Sequence, residues 1–204
     1  MSDSAGTGRK ADLKTRLIDA AEAEIAEKGL AGLKAREVTR RAGCALGALY
    51  TAVDDLDGLV LQVNARTLAR LGAALSPPDG APDGTPEAVT LALADAYAGF
   101  ALENRRLWSA LFEHRLPEGM AVPDWYAQAH EVLIARIGAP LAALRPDLPP
   151  QALRLRVRTL FGAVHGVVHL ALQGRLVGLP EASLRPEVAA LVGALVTGAR
   201  QMRG

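Results

Sequence analysis

Three runs of apolar residues at helical spacing, parted by two glycines, fill the stretch from Ala11 to Val53. Leu13, Leu17, Ile18, Ala21 and Ile25 share one face of a helix predicted over Ala11–Lys28. Gly29 follows its last turn, where a glycine can end a helix. Two short helices are predicted next, over Ala35–Ala42 and Leu46–Val53, with Gly43 between them. In the second, Leu46, Leu49, Tyr50 and Val53 stand at i, i+3, i+4 and i+7. A short helix, a glycine turn and a second short helix form a helix-turn-helix unit.

Beyond Val53 the helical pattern continues. Asp54 and Asp55 offer an N-cap for a helix over Leu56–Leu75, whose buried face would hold Leu59, Val60, Val63, Leu68 and Leu71. Residues 76–86, SPPDGAPDGTP, read as a loop. Further helices are predicted over Glu87–Glu103, Arg105–His114, Asp124–Leu144, Gln151–Leu176 and Ala182–Met202, with breaks at Leu116–Pro123 and Pro146–Pro150. A bend is expected near Gly138-Ala139-Pro140. No run of alternating β-branched residues appears, so the fold class is all-α. About nine helices are expected: a disordered arm over 1–10, a three-helix helix-turn-helix domain over 11–54, and a helical bundle over 55–204.

Composition narrows the function classes. Half of the residues are hydrophobic, enough for a sizeable core. The single cysteine, Cys44, excludes a disulfide framework within the chain and fits a reducing cytoplasm. Its place in the turn before the third helix suits a small apolar filler better than a redox switch. The polar segment Met1–Lys14 does not read as a signal peptide. The most apolar run, Leu160–Leu172, is shorter than the roughly 20 residues a bilayer span needs. Net charge is only +1, and residues 1–64 hold nine Lys and Arg against ten Asp and Glu, a net of −1. Any nucleic-acid surface must therefore be a local patch.

The ungapped stretch from Thr15 to Val63 resembles the DNA-binding domain of the TetR family of bacterial transcriptional regulators. The matching pieces are Ile18-Asp19-Ala20-Ala21, Ala26-Glu27-Lys28-Gly29, Arg36-Glu37-Val38, Arg41-Ala42-Gly43, Gly47 and Leu49-Tyr50. The resemblance implies a ligand-responsive repressor, a homodimer through its last two helices on a near-palindromic double-stranded DNA operator. It implies a small apolar or amphipathic effector, no cofactor and no membrane partner. The third helix would enter the major groove with Ala45, Leu46, Gly47, Ala48 and Thr51. Lys34, Arg36, Thr39, Arg40 and Tyr50 would anchor it to phosphates. Lys10 and Lys14 could add phosphate contacts ahead of the first helix.

The chain departs from the family pattern in one direction. Where a hydroxyl residue is frequent it has Leu33, where Lys is common it has Leu46 and Leu56, where Thr or Ser is common it has Ala48, and where an aromatic is common it has Val53. Cations and donors are thereby lost, so phosphate contact is expected to be weaker than the family norm. Small apolar groups such as Ala45 and Ala48 remain suited to thymine methyls. A fold that keeps ligand binding with weakened DNA binding is the alternative reading.

Leu160-Phe161-Gly162-Ala163-Val164-His165-Gly166, running on to Gly174-Arg175-Leu176, resembles a C-terminal subtype of the same family with an aromatic, three residues and His-Gly. Among aliphatic helices, Tyr97, Trp108, Phe112, Trp125, Tyr126, His130, Phe161, His165 and His169 are the candidates for lining an effector cavity, which is typically apolar with a few placed polar groups. His165 and His169 share a helix face at i, i+4, yet no Cys or acid lies near them in sequence, so a structural or pocket role outranks metal binding. No triad-like grouping and no phosphate-cradling glycine loop points to an enzyme.

Overall fold

Helix α1 spans Asp3–Lys28 in the computed structural model, which describes residues 3–53, 55–76 and 84–201. Residues 3–10, expected as a disordered arm, continue this helix. Once the packed segment around Leu17 has met the nucleation cost, each added residue needs only propagation. A single 3-10 turn, Leu30–Gly32, leads to α2 (Ala35–Arg41) and α3 (Leu46–Val53). Gly43 has φ 67°, and Cys44 N–H reaches back to the Thr39 carbonyl at 3.0 Å. That six-to-one bond is the Schellman way of ending α2, and it needs a residue at positive φ.

Helix α4 (Leu56–Ala74) starts on Asp55, whose Oδ1 accepts from the Gly58 N–H at 2.6 Å. The other expected cap, Asp54, lies outside the described residues, as does most of the expected loop, residues 77–83. Helix α5 (Pro86–Glu103) has Pro86 in its first turn and Thr85 as N-cap, accepting from Ala88 N–H at 3.3 Å. Then come α6 (Arg105–Glu113), α7 (Asp124–Leu144), α8 (Pro150–Leu172) and α9 (Leu184–Gln201), the last preceded by a 3-10 turn at Glu181–Ser183. The described residues contain no strand. Helix α7 runs through Pro140. Helix α8 stops four residues before the expected Leu176, because Gly174 (φ 67°) closes it while Arg175 N–H bonds the Leu170 carbonyl at 2.8 Å.

The helices cluster into two compact units. The first comprises Met1–Ala69 and Arg106–Tyr126; the second comprises Arg70–Arg105 and Ala127–Gly204. The first unit closes on Leu17, Ala21, Ile25, Val38, Leu49, Leu59 and Val63. Leu107 and Ala110 of α6, far away in sequence, join that core. In the second unit, α5 lies along α9, and the buried side chains include Leu93, Tyr97, Phe100, Val157, Val168, Val188 and Val192. Gly138 of α7 lets Val157 of α8 approach: a Cβ there would stand 3.1 Å from the Val157 Cγ2. No helix among the described residues is long and apolar enough to cross a membrane.

Candidate DNA interface and effector cavity

In the first unit, α3 turns two of its apolar residues inward. Leu49 is fully buried and Val53 nearly so. The opposite face is open: Ala45, Leu46, Gly47, Tyr50 and Thr51 are exposed and Ala48 is half-buried. Lys34 and Arg36 are exposed at the start of α2. Thr39 differs from the other candidate contacts. It is 3% exposed, and its hydroxyl donates within α2, 3.0 Å from the Ala35 carbonyl and 3.1 Å from that of Arg36. It is buried like its neighbour Val38, so the surface role expected of it is not where its side chain lies.

Two of the three cations of α2, Arg40 and Arg41, are held by carboxylates. Arg40 forks Glu37 through Nε at 3.1 Å and Nη2 at 2.6 Å. This bond holds the Glu37 carboxyl below its ordinary pKa and the Arg40 guanidinium above its own. Arg41 donates to Glu27 at 2.8 and 2.6 Å and to Glu24 at 3.0 Å. Glu24 is fully buried and also accepts from Lys28 Nζ at 2.5 Å. A buried carboxylate survives only when paired in this way. Arg16 donates to the Ala42 carbonyl at 2.9 Å, and Arg106 of α6 donates to the Ala26 and Glu27 carbonyls at the end of α1. These bonds satisfy helix-end acceptors that would otherwise lack partners. The helix-turn-helix is therefore tied together by directional side-chain bonds among α1, α2 and α6.

In the second unit, four of the candidate effector residues form one ring stack. Phe161, His165 and His169 occupy successive turns of α8 with centroids 5.7 and 5.4 Å apart. Tyr97 of α5 meets Phe161 edge-on at 5.6 Å, and its hydroxyl is hydrogen-bonded to His165 Nδ1 at 2.9 Å. Burial and the neighbouring His169 hold His165 below the usual histidine pKa. His169 Nε2 lies 2.8 Å from Gln173 Nε2. Beside the stack is an apolar cavity of about 30 Å³ lined by Tyr97, Phe161, Thr90, Ile137, Val164 and Val192. It has room for about two water molecules. Among the described residues no cluster of three or more His, Cys, Asp or Glu could hold a metal.

The remaining candidates lie elsewhere. His130 belongs to the second unit, half-buried, with its pKa lowered by burial and partly restored by Glu131. Trp108, Phe112, Trp125 and Tyr126 belong to the first. There Trp108 is fully buried with its ring 5.0 Å from that of Phe112, while Trp125 is 44% exposed and meets Tyr126 edge-on at 5.6 Å. Cys44 is half-buried against the first core, as a small filler. Sequence reading overlooked Asn64, which is fully buried, with its Nδ2 donating to the Ala110 carbonyl at 3.3 Å. The helical period that sends Val60, Val63 and Leu71 inward also sends Asn64 and Thr67 inward. That was the available signal. Thr90, Ile137 and Val192 carried none, since an aliphatic lining looks like any core.

Two family models match the chain: bacterial regulatory proteins of the tetR family over residues 17–62, and the tetracyclin repressor-like C-terminal domain over residues 90–195. The chain belongs to the TetR family of transcriptional regulators. Solved structures agree on the fold. A protein of unknown function from Rhodococcus sp. RHA1 is 26% identical, with a TM-score of 0.68, covering 89% of this chain and 94% of its own. A tetR-family transcriptional regulator from Streptomyces coelicolor is 19% identical, with a TM-score of 0.69, covering 94% of this chain and 83% of its own. RolR in complex with resorcinol is 20% identical, with a TM-score of 0.64, covering 95% of this chain and 94% of its own. No curated protein sequence matches the chain. The family and these regulators are not enzymes. The matched span 17–62 contains α2 and α3, the helix-turn-helix pair.

Proposed function

We propose that this TetR-family chain is a ligand-responsive repressor, acting in the cytoplasm as a homodimer on a near-palindromic operator. Residues 11–54 would form the DNA-binding domain and residues 55–204 the sensing and dimerising one. The observation that carries the reading is the two-sidedness of α3, which buries Leu49 and Val53 and leaves Ala45, Leu46, Gly47, Tyr50 and Thr51 open. Lys34 and Arg36 would touch phosphates, with the Tyr50 hydroxyl beside them, and Arg40 would join by exchanging its exposed pair with Glu37 for a phosphate.

Dimerisation through α8 and α9 is supported by apolar residues left open on both. Leu155 is 61%, Leu170 38% and Leu195 40% exposed. Leu160, Ala163, Leu195 and Val196 line a groove of about 350 Å³ between these helices. Packed face to face, two copies would form a four-helix bundle and set two recognition helices about 34 Å apart, one turn of DNA.

The effector would be a small apolar or amphipathic molecule entering the cavity beside Tyr97 and Phe161, with His165 and His169 as its polar edge. A space of about 30 Å³ is too small for such a molecule. An effector must therefore favour a state in which α5 and α8 stand further apart, and that differential affinity would drive release from DNA.

The test is a mobility-shift assay of the full chain on its own upstream DNA, with sedimentation to read the oligomer. Binding by a dimer, relieved by an effector that also changes tryptophan fluorescence, is the expected result. A monomer at micromolar concentration would sink the mechanism. The second reading, a fold that senses ligands with weakened DNA binding, is favoured by the lack of any Lys, Arg or His from residue 42 to residue 65. Failure to bind both upstream DNA and a selected library would establish it.

A further inference from the structure

The outward face of α3 is nearly devoid of hydrogen-bond donors. The 24 residues from 42 to 65 hold no cation. Thr51 donates its one hydroxyl proton to the Gly47 carbonyl at 3.1 Å, which leaves it an acceptor only. The nearest cations preceding α3, Arg40 and Arg41, are bonded to Glu37 and to Glu24 and Glu27. The commonest specific base contact, a bidentate arginine on guanine, is therefore unavailable to α3. Tyr50 is 52% exposed and offers its hydroxyl, which the proposed function assigns to a phosphate; toward the bases carbon is what remains, with Leu46 39% exposed and flanked by Ala45 and Ala48. The apolar group that the major groove offers is the thymine 5-methyl.

Gly47 adds an independent observation. A Cβ there would meet nothing within 4 Å, and its φ lies outside the positive region. Glycine weakens a helix, and nothing in the fold uses the missing side chain. The opening faces outward, where a duplex would lie.

We propose that α3 reads its operator through thymine methyl groups. Leu46 and Ala48 supply the contacts, Gly47 lets the duplex approach closely, and the half-sites beneath α3 are rich in A·T pairs. The proposal rests on the DNA-binding reading above and names the chemistry of its specificity.

The experiment selects duplexes from a randomised library with the full chain, then resynthesises the best half-sites with deoxyuridine in place of single thymidines. Deoxyuridine keeps the pairing and the O4 acceptor and removes only the methyl. About fourfold weaker binding is expected for each contacted methyl removed. Leu46→Ala should bind the thymidine duplex more weakly and lose this sensitivity. Gly47→Ala should raise the thermal midpoint, as an alanine in a helix does, and yet bind more weakly. Equal affinity for the thymidine and deoxyuridine duplexes, or selection of G·C-rich half-sites, overturns the proposal and leaves DNA binding standing. If no sequence is enriched over random duplex, the DNA-binding reading itself fails, and this proposal with it.

Discussion

The two units are held by different chemistry. In the first, a fully buried carboxylate, Glu24, is clamped by Arg41 and Lys28, and arginines close the ends of α1 and α2. Ion pairs and directional bonds have steep geometric optima, so they hold one arrangement of the helices. In the second unit the interior around the cavity is a ring stack with one phenol–imidazole bond. Among the described residues most of its ion pairs, such as Arg185 with Asp95, lie at the surface, and its one buried arginine, Arg145, pairs with a half-exposed Asp147 and the Ala199 carbonyl rather than with a buried acid. Ring and aliphatic contacts are weakly directional and can repack at small cost. Under the proposed function, the first unit would present a fixed surface and the second would accommodate a change in volume.

This contrast can be broken by substitution. The largest effect is expected for Glu24→Ala, which strips two cations of their buried partner. A loss of about 2 kcal/mol in urea unfolding is expected, from the cavity and the lost bonds, since the two cations left behind can reach water, and a loss under about 1 kcal/mol would make the clamp ornamental. Next comes Tyr97→Phe, which removes one hydrogen bond from the ring stack. About 1 kcal/mol is expected, or a midpoint lowered by about 2–4 °C. A cost equal to that of Glu24→Ala would erase the distinction between the units. Arg185→Ala should cost about 0.5 kcal/mol or less, as exposed pairs do. Its measured value calibrates how much the surface bridges of the second unit matter.

The smallest effect is in pH. The folded pKa values of His165 and His130 are lowered, chiefly by burial. In the unfolded chain each titrates near about 6.5. The unfolded state therefore takes up protons first, and stability is full above that value. It falls as pH drops from about 6.5 toward the lowered folded values. Urea midpoints at neutral and mildly acidic pH should reveal the slope, and His165→Gln should flatten it. A slope of opposite sign would mean that His165 is charged inside the fold.

Much of the fold was legible because helical period and glycine punctuation are local signals. The bounds of α3 match the expected ones, and Gly43 makes the expected turn. The outward face of α3 was legible too, since Leu49 and Val53 had to point inward. Other features were not legible, for reasons that are physical rather than statistical. Thr39 looks like a phosphate contact until the packing of α2 shows its hydroxyl bonded within its own helix. Trp108 and Phe161 read alike as rings among aliphatics, yet they lie in different units. Asn64 and Glu24 are polar residues at interior positions, and what keeps them there comes from distant parts of the chain.

The sequence alone determined the helices, their order, the helix-turn-helix and its cation-poor face, because each depends on neighbours within a few residues. Only the tertiary structure decided which charges are committed, that Leu107 and Ala110 of α6 complete the core that Leu49 and Val53 of α3 enter, and which rings line the cavity. Those facts rest on contacts between residues 17 to 80 positions apart, such as Arg41 with Glu24, Tyr97 with His165 and Arg106 with the end of α1. Local periodicity carries no information about partners at that range. Packing chooses them by shape, and by the requirement that buried polar groups find a bond.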